Sequence, residues 1–255
     1  MTISIDPPES VRLVAEMFAT QCRLNDFLDP DWRSKPDVYK NSRAIFAAAF
    51  EILDATKWKW WSKWPKGPEK KIDLDQLRLE VVDIWVFLMS WIMQKESATD
   101  DIEEILGFEF SPGTFNPSEF ADAALNLAST VRLLDECDYV REAVNDATEC
   151  FKTLMSCANM DLQGLYDLYN RKAALNLLRW ENGYGTTYVK MWPELTGGTP
   201  SHIEDNVWLV RVLEAFPESK SVDDILSVLR ILYDMAKTGS IDYRWIEAIN
   251  GTLLL

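Results

Sequence analysis

Two short runs of one form, Glu51-Ile-Leu-Asp54 and Glu80-Val-Val-Asp83, place carboxylates three residues apart. Residues at i and i+3 share a face of an α-helix, so each run directs two acidic groups toward one point. The second run stands in the most apolar stretch of the chain, where the clearly polar side chains between Leu79 and Met93 are Glu80, Asp83 and Ser90. Carboxylates on a buried helix are costly unless they are paired, protonated or bound to a cation. A cluster of oxygen ligands suits a hard cation such as Mg²⁺. The spacing alone also fits ordinary charges on a narrow solvated stripe, because E-x-x-D arises often by chance.

Apolar residues recur at helical spacing through most of the chain and no alternating run of useful length appears, so the fold class is all-α, a helical bundle. The spacing predicts a first helix after Pro7 and Pro8, running through Val11, Val14, Phe18 and Cys22 to about Leu28. A second starts near Asp37, taken as its N-cap, passes Ile45, Ala49 and Ile52 and stops before Trp58. A third covers about Leu74 to Gln94 and is buried on nearly every side, as Val81 to Met93 is too short to span a bilayer and holds an acid. Between the second and third, 57–71 reads as a tryptophan- and lysine-rich loop. Further helices are expected over 118–135, 138–157 and 161–181, a loop over 183–201, and helices at 204–216 and 222–237. Pro117-Ser118-Glu119 is a helix start.

With 255 residues, 47% of them hydrophobic, the chain can bury a large core. One domain over 1–255 is expected, with 96–160 as a helical insert and 217–255 as a helical tail. A net charge of −15 argues against nucleic acid and anionic membrane surfaces as partners, so a phosphate ligand needs a local basic pocket or metal ions. Cys22, Cys137, Cys150 and Cys157 show no CxxC pairing and Met1 to Ser10 carries no secretory signal, which points to reduced thiols in a cytoplasmic protein.

The carboxylate runs do not stand alone. The segment from Ala44 to Asp54, Trp58-Lys-Trp-Trp61 after it, and then Glu80-Val-Val-Asp83-Ile-Trp-Val-Phe87 resemble the metal-binding core of the all-α dimeric dUTPases, where an E-x-x-E helix, a W-K-W-W turn and an E-x-x-D-I-x-x-F helix occur in this order. Gln21-Cys-Arg-Leu-Asn25 is similar to the family's Q-x-x-L-N, whose Gln and Asn belong to the uracil pocket. Lys172-Ala-Ala-Leu-Asn176-Leu-Leu-Arg179, Gly183-Tyr184, Tyr188-Val-Lys190 and Glu204-Asp205-Asn206 are similar to its K-x-x-L-N-x-x-R, G-Y, Y-x-K and E-D-N blocks. These matches cover about 11–95 and 161–212.

The resemblance implies hydrolysis of dUTP to dUMP and pyrophosphate by a homodimer, with dUDP or dCTP as other candidate substrates. It implies Mg²⁺, or Mn²⁺ in its place, on Glu51, Glu80 and Asp83, where the ions would bridge phosphate oxygens and lower the pKa of an attacking water. Gln21, Asn25, Trp58 and Trp61 would receive the base, and Lys172, Asn176, Arg179, Tyr184, Lys190 and Asn206 the rest of the nucleotide. The residue types agree: amides combine donors with acceptors, tryptophans give flat surfaces, and these cations stand out in an acidic chain. For Gln21 and Asn25 a solvated helix face is the other reading, and for the basic residues a surface salt-bridge network. The chain departs from the pattern at Ala48, where the family has a second glutamate, and at Val86 and Ser62, where histidine and lysine are common. A methyl group at 48 can neither hold a metal nor orient water, so the alternative is a catalytically weak or inactive nucleotide-binding protein.

Overall fold

The computed structural model describes residues 8–56, 58, 72–95, 112–135, 140–196, 199–209 and 221–238, with the side chains of 194–201 left out. They form an all-α fold: α1 Glu9–Leu28, α2 Asn41–Ala55, α3 Leu74–Lys95, α4 Pro117–Leu134, α5 Val140–Cys157, α6 Leu162–Glu181 and α7 Val222–Lys237. One antiparallel hairpin, β1 Met191–Thr196 and β2 Thr199–Glu204, follows α6. The chain divides into two compact units, 1–168 and 169–255. Among the described residues no helix is long and apolar enough to cross a membrane. Cys22, Cys150 and Cys157 are free thiols.

The first unit is organised around α3. From Val81 to Met93 its side chains are buried except Asp83 and Phe87, which are half-buried. Trp85 explains much of that packing. Its ring stacks on Phe151 of α5 at 4.7 Å and 19°, meets Phe18 of α1 edge-on at 5.8 Å, and its Nε1 donates to Met17 Sδ at 3.3 Å. Aromatic burial of this kind is among the largest single contributions to a core. Polar contacts then fix the neighbouring helices. Asp135, just past α4, accepts from Ser42 Oγ of α2 at 2.7 Å and from Trp91 Nε1 of α3 at 3.0 Å.

Within the first unit α3 is covered on nearly every side by its neighbours. Exposed apolar area lies instead on α2 and α4, where Phe50 is 50% and Leu133 80% exposed. Phe46, Ala47 and Phe50 line a groove of about 440 Å³ with Ser42, Arg43 and Arg132 at its edges.

Helix starts follow local chemistry. Asn116 caps α4 by accepting from Ser118 N at 3.0 Å, with Pro117 behind it, and Ser221 caps α7 by accepting from Asp224 N at 3.2 Å. The start of α2 differs from expectation: Asp37 is not its N-cap and the helix opens at Asn41. Residues 36–39 are held in a turn instead, with Tyr39 N donating to Lys35 O and Tyr39 Oη to Asp29 Oδ2, both at 3.0 Å.

The second unit holds the hairpin, which replaces part of the loop expected over 183–201. Its register pairs Thr196 with Thr199 and Met191 with Glu204. Pro193 and Pro200 are tolerated because a two-stranded sheet has an unpaired edge on both strands. Trp192 is fully buried, its Nε1 donating to Val189 O at 3.0 Å, and its ring lies 5.5 Å from Tyr233 of α7. The helix expected over 204–216 is seen at 205–209, and the rest of that span lies outside the described residues.

Candidate functional site

The carboxylate pairs occupy the two helices expected of them, α2 and α3. Glu51 and Asp54 are exposed on α2, whereas Glu80 and Asp83 are half-buried on α3. Ala48, one turn before Glu51, is 5% exposed and belongs to the buried face of α2 with Ile45, Ala49 and Ile52. Glu80 Oε1 accepts from Gln76 Nε2 at 2.9 Å. Among the described residues no three His, Cys, Asp or Glu side chains gather into a group able to hold a metal ion. A hard cation wants several oxygens at once, and in the two carboxylate pairs Glu51, Asp54, Glu80 and Asp83 are the side chains that could supply them, whereas Ala48 supplies none.

Gln21 and Asn25 are held on α1 in a way that a solvated helix face does not explain. Gln21 is 1% exposed. Its Nε2 donates to Asn25 Oδ1 at 2.8 Å, Asn25 Nδ2 donates to Ser90 Oγ at 2.9 Å, and Ser90 Oγ donates to the Val86 carbonyl at 2.9 Å. Each link runs donor to acceptor in one direction, so Ser90 of α3 sets the amide orientation of Asn25 and, through it, that of Gln21. The structural role of Ser90 was signalled by its position as a lone hydroxyl in an apolar helix. Of the tryptophan turn, Trp58 is 40% exposed, and Trp61 and Ser62 lie outside the described residues.

The basic residues belong to the second unit, and the two on α6 are not part of a surface network. Lys172 and Arg179 on α6 are 3% and 6% exposed. Arg179 grips Asp205 through Nε to Oδ2 at 2.8 Å and Nη2 to Oδ1 at 2.7 Å. It also donates from Nη2 to Asn206 Oδ1 and from Nη1 to Asn176 Oδ1, each at 3.3 Å. Lys172 Nζ donates to Asn206 Oδ1 at 3.4 Å, and Tyr188 Oη to Asp205 Oδ2 at 2.8 Å. Burial opposes the guanidinium charge, but the bonded Asp205 carboxylate outweighs it and raises the Arg179 pKa above its ordinary value. Burial, followed by the Asp205 charge, pushes the Tyr188 phenol far up, so it stays a donor.

Tyr184 reaches this cluster because of how α6 ends. Gly183 adopts φ +78°, Gly183 N donates to Trp180 O at 3.1 Å and Tyr184 N to Arg179 O at 2.9 Å. This is a glycine-terminated helix end, and a side chain at 183 would collide with Thr187 Oγ1. It leaves the Tyr184 ring 5.5 Å from the Arg179 guanidinium carbon. Lys190 is more open, 3.8 Å from Glu204 with its side chain 44% exposed. Asp205 and Tyr188 have roles that sequence did not assign to them. The available signal was Arg179 itself, since an arginine directly after Leu178 and one turn after Leu175 on a buried helix needs a counter-charge.

No curated protein matches the chain. A protein-family model described as dUTPase does match it, over residues 13–184. The match is more than half of the chain and contains Gln21, Asn25, the carboxylate pairs of α2 and α3, Lys172, Asn176, Arg179 and Tyr184; it also runs through 96–160, which carries no recognisable motif. Together with the all-α fold, it establishes that the chain belongs to the all-α, dimeric dUTPase-like family.

Proposed function

We propose that the chain binds a deoxyuridine nucleotide and hydrolyses dUTP to dUMP and pyrophosphate, with turnover held low by the missing carboxylate at position 48. The observation that carries the base assignment is the buried relay from Gln21 through Asn25 to Ser90 and the Val86 carbonyl. A fixed amide pair is suited to a flat ligand edge with alternating donors and acceptors, because a site that must leave its amides unpaired rejects the wrong base. Family membership supports the phosphate chemistry. Divalent metal dependence and a homodimer belong to the same proposal, and the exposed Phe46, Phe50 and Leu133 supply apolar area for a partner.

A second reading, a nucleotide-binding protein that has lost catalysis, is favoured by the same Ala48 and by the lack of a converging metal group among the described residues. Pyrophosphate release from a panel of deoxynucleoside triphosphates and dUDP, with Mg²⁺ or Mn²⁺, separates the two. The proposal expects measurable release with dUTP preferred. Binding of dUTP without any release supports the second reading, and preference for dCTP or a purine nucleotide overturns the base assignment.

A further inference from the structure

The amide of Asn25, half-buried on α1, is held from both ends. Its Nδ2 donates to Ser90 Oγ of α3 at 2.9 Å, and its Oδ1 accepts from Gln21 Nε2 at 2.8 Å. Both partners are almost wholly enclosed, Ser90 at 4% and Gln21 at 1% exposed. The two ends do not constrain the amide equally. A glutamine carries donors and acceptors on one group, so Gln21 can turn its own amide to suit Asn25 in either orientation. Ser90 has a single proton, and that proton goes to the Val86 carbonyl at 2.9 Å, a group that can only accept. The Ser90 oxygen is thereby left as an acceptor, and Asn25 must meet it with its NH₂. Turning the Asn25 amide over would set its carbonyl against the Ser90 oxygen unless the hydroxyl gave up Val86. One hydrogen bond therefore separates the two orientations.

We propose that Ser90 is the residue that selects a pyrimidine with a keto oxygen at C4 over one with an amino group there: it is a positioning residue that fixes the polarity of the Asn25 amide, and Asn25 reads the base. The proposal rests on the deoxyuridine nucleotide reading for the identity of the ligand. An amide shows a donor and an acceptor side by side. Uracil offers the complement, the O4 acceptor beside the N3–H donor. Cytosine offers the reverse, the N4 amino donor beside a bare N3 acceptor. A cytosine seated in the same way would set donor against donor and acceptor against acceptor, whereas an Asn25 amide turned over would suit it. The bond from Ser90 to Val86 thus decides between the two bases while touching neither. Thymine has the same edge as uracil and differs by a methyl group at C5, so the hydroxyl at 90 has no means of telling those two apart.

The test measures the affinities of dUMP, dCMP and dTMP by calorimetric titration of the full chain, of Ser90→Ala and of Ser90→Thr. The three nucleotides share their sugar and phosphate, so the ratios report the base alone. Ser90→Ala removes the hydroxyl without adding volume and frees the Asn25 amide to turn. Ser90→Thr keeps a hydroxyl able to bond the carbonyl one helical turn back. The preference of the parent for dUMP over dCMP should fall about tenfold in Ser90→Ala, the scale of one hydrogen bond, and return in Ser90→Thr, with the ratio of dTMP to dUMP unchanged in both. A merely structural role would weaken all three nucleotides by one factor. That result, or a dUMP preference retained in Ser90→Ala, overturns the role of Ser90 and leaves the deoxyuridine reading standing. The role is equally overturned if the dTMP ratio moves with the dCMP ratio, or if a folded Ser90→Thr behaves like Ser90→Ala. Should Ser90→Thr fail to fold, the ratios in Ser90→Ala decide alone. A parent chain that prefers dCMP, or binds none of the three, overturns both.

Discussion

Arg179 and Asp205 meet in two parallel hydrogen bonds of 2.8 and 2.7 Å, with the arginine side chain 8% exposed and the aspartate not exposed at all. A pair this deep is expensive to break from one side, because the remaining charge is stranded without water or partner. Arg179→Met should therefore lower the unfolding free energy by about 3–5 kcal/mol, read from urea denaturation. Removing both charges in Arg179→Met/Asp205→Leu should cost less than removing either alone. Equal or additive losses would mean that the two do not act as a unit.

The relay through Asn25 carries a similar asymmetry at smaller scale. Asn25→Ala takes an acceptor from buried Gln21 and a donor from buried Ser90. A destabilisation of about 1 kcal/mol is expected for the hydrogen bonds lost. Discrimination between dUTP and dCTP should collapse as well. Retained discrimination, measured by competitive titration of the folded variant, would detach Gln21 and Asn25 from base recognition.

Tyr188 gives the protein an alkaline limit. Its pKa is raised in the folded state by burial and by Asp205, whereas an unfolded tyrosine ionises near pH 10. The stability it contributes is complete below that value and is lost as pH rises beyond it, because the unfolded chain then releases a proton that the folded chain keeps. Denaturation midpoints should fall more steeply above about pH 10 for the parent than for Tyr188→Phe. Identical slopes would remove Tyr188 as the cause.

Much of the helical frame was legible from periodicity. The α3 run is apolar around nearly its whole circumference, and α1 and α7 repeat apolar residues along one face, so their bounds came out within a residue or two. The hairpin was not legible. Pro193 and Pro200 read as breakers, and the turn signal Gly197-Gly198 is undercut when strands are only six residues long and have no further partner. The start of α2 was misplaced because an acid after a proline looks like a cap, while the contacts that hold 36–39 in a turn come from Asp29 and Lys35. At the candidate site, block order singles out Gln21, Asn25, Lys172, Asn176 and Arg179 as candidates. Their connections could not be read there, since Ser90 and Asp205 lie 65 and 26 residues from the groups they orient.

Position 48 makes a thermodynamic prediction independent of turnover. A glutamate placed at a site that is 5% exposed should destabilise the chain by about 1–3 kcal/mol without metal, the usual cost of an uncompensated buried polar group. Millimolar Mg²⁺ should restore the loss by binding the native state alone. The melting temperature of Ala48→Glu should thus rise with Mg²⁺ by more than that of the parent. Equal responses would place residue 48 outside any metal cluster.

The most direct measurement is the rate of dUTP hydrolysis by the parent chain and by Ala48→Glu under the same Mg²⁺ concentration, with nucleotide affinity measured alongside. Position 48 lies one turn before Glu51 on α2, at the buried side of that turn, so the added carboxylate comes within one turn of Glu51 while the sequence of Gln21, Asn25 and the Arg179 cluster is unchanged. The account predicts a rise in kcat of at least about 10²-fold, the scale of a positioned catalytic group, with affinity little changed. A parent chain that already turns over on the order of 1 s⁻¹ or faster, and gains nothing from Ala48→Glu, would contradict it.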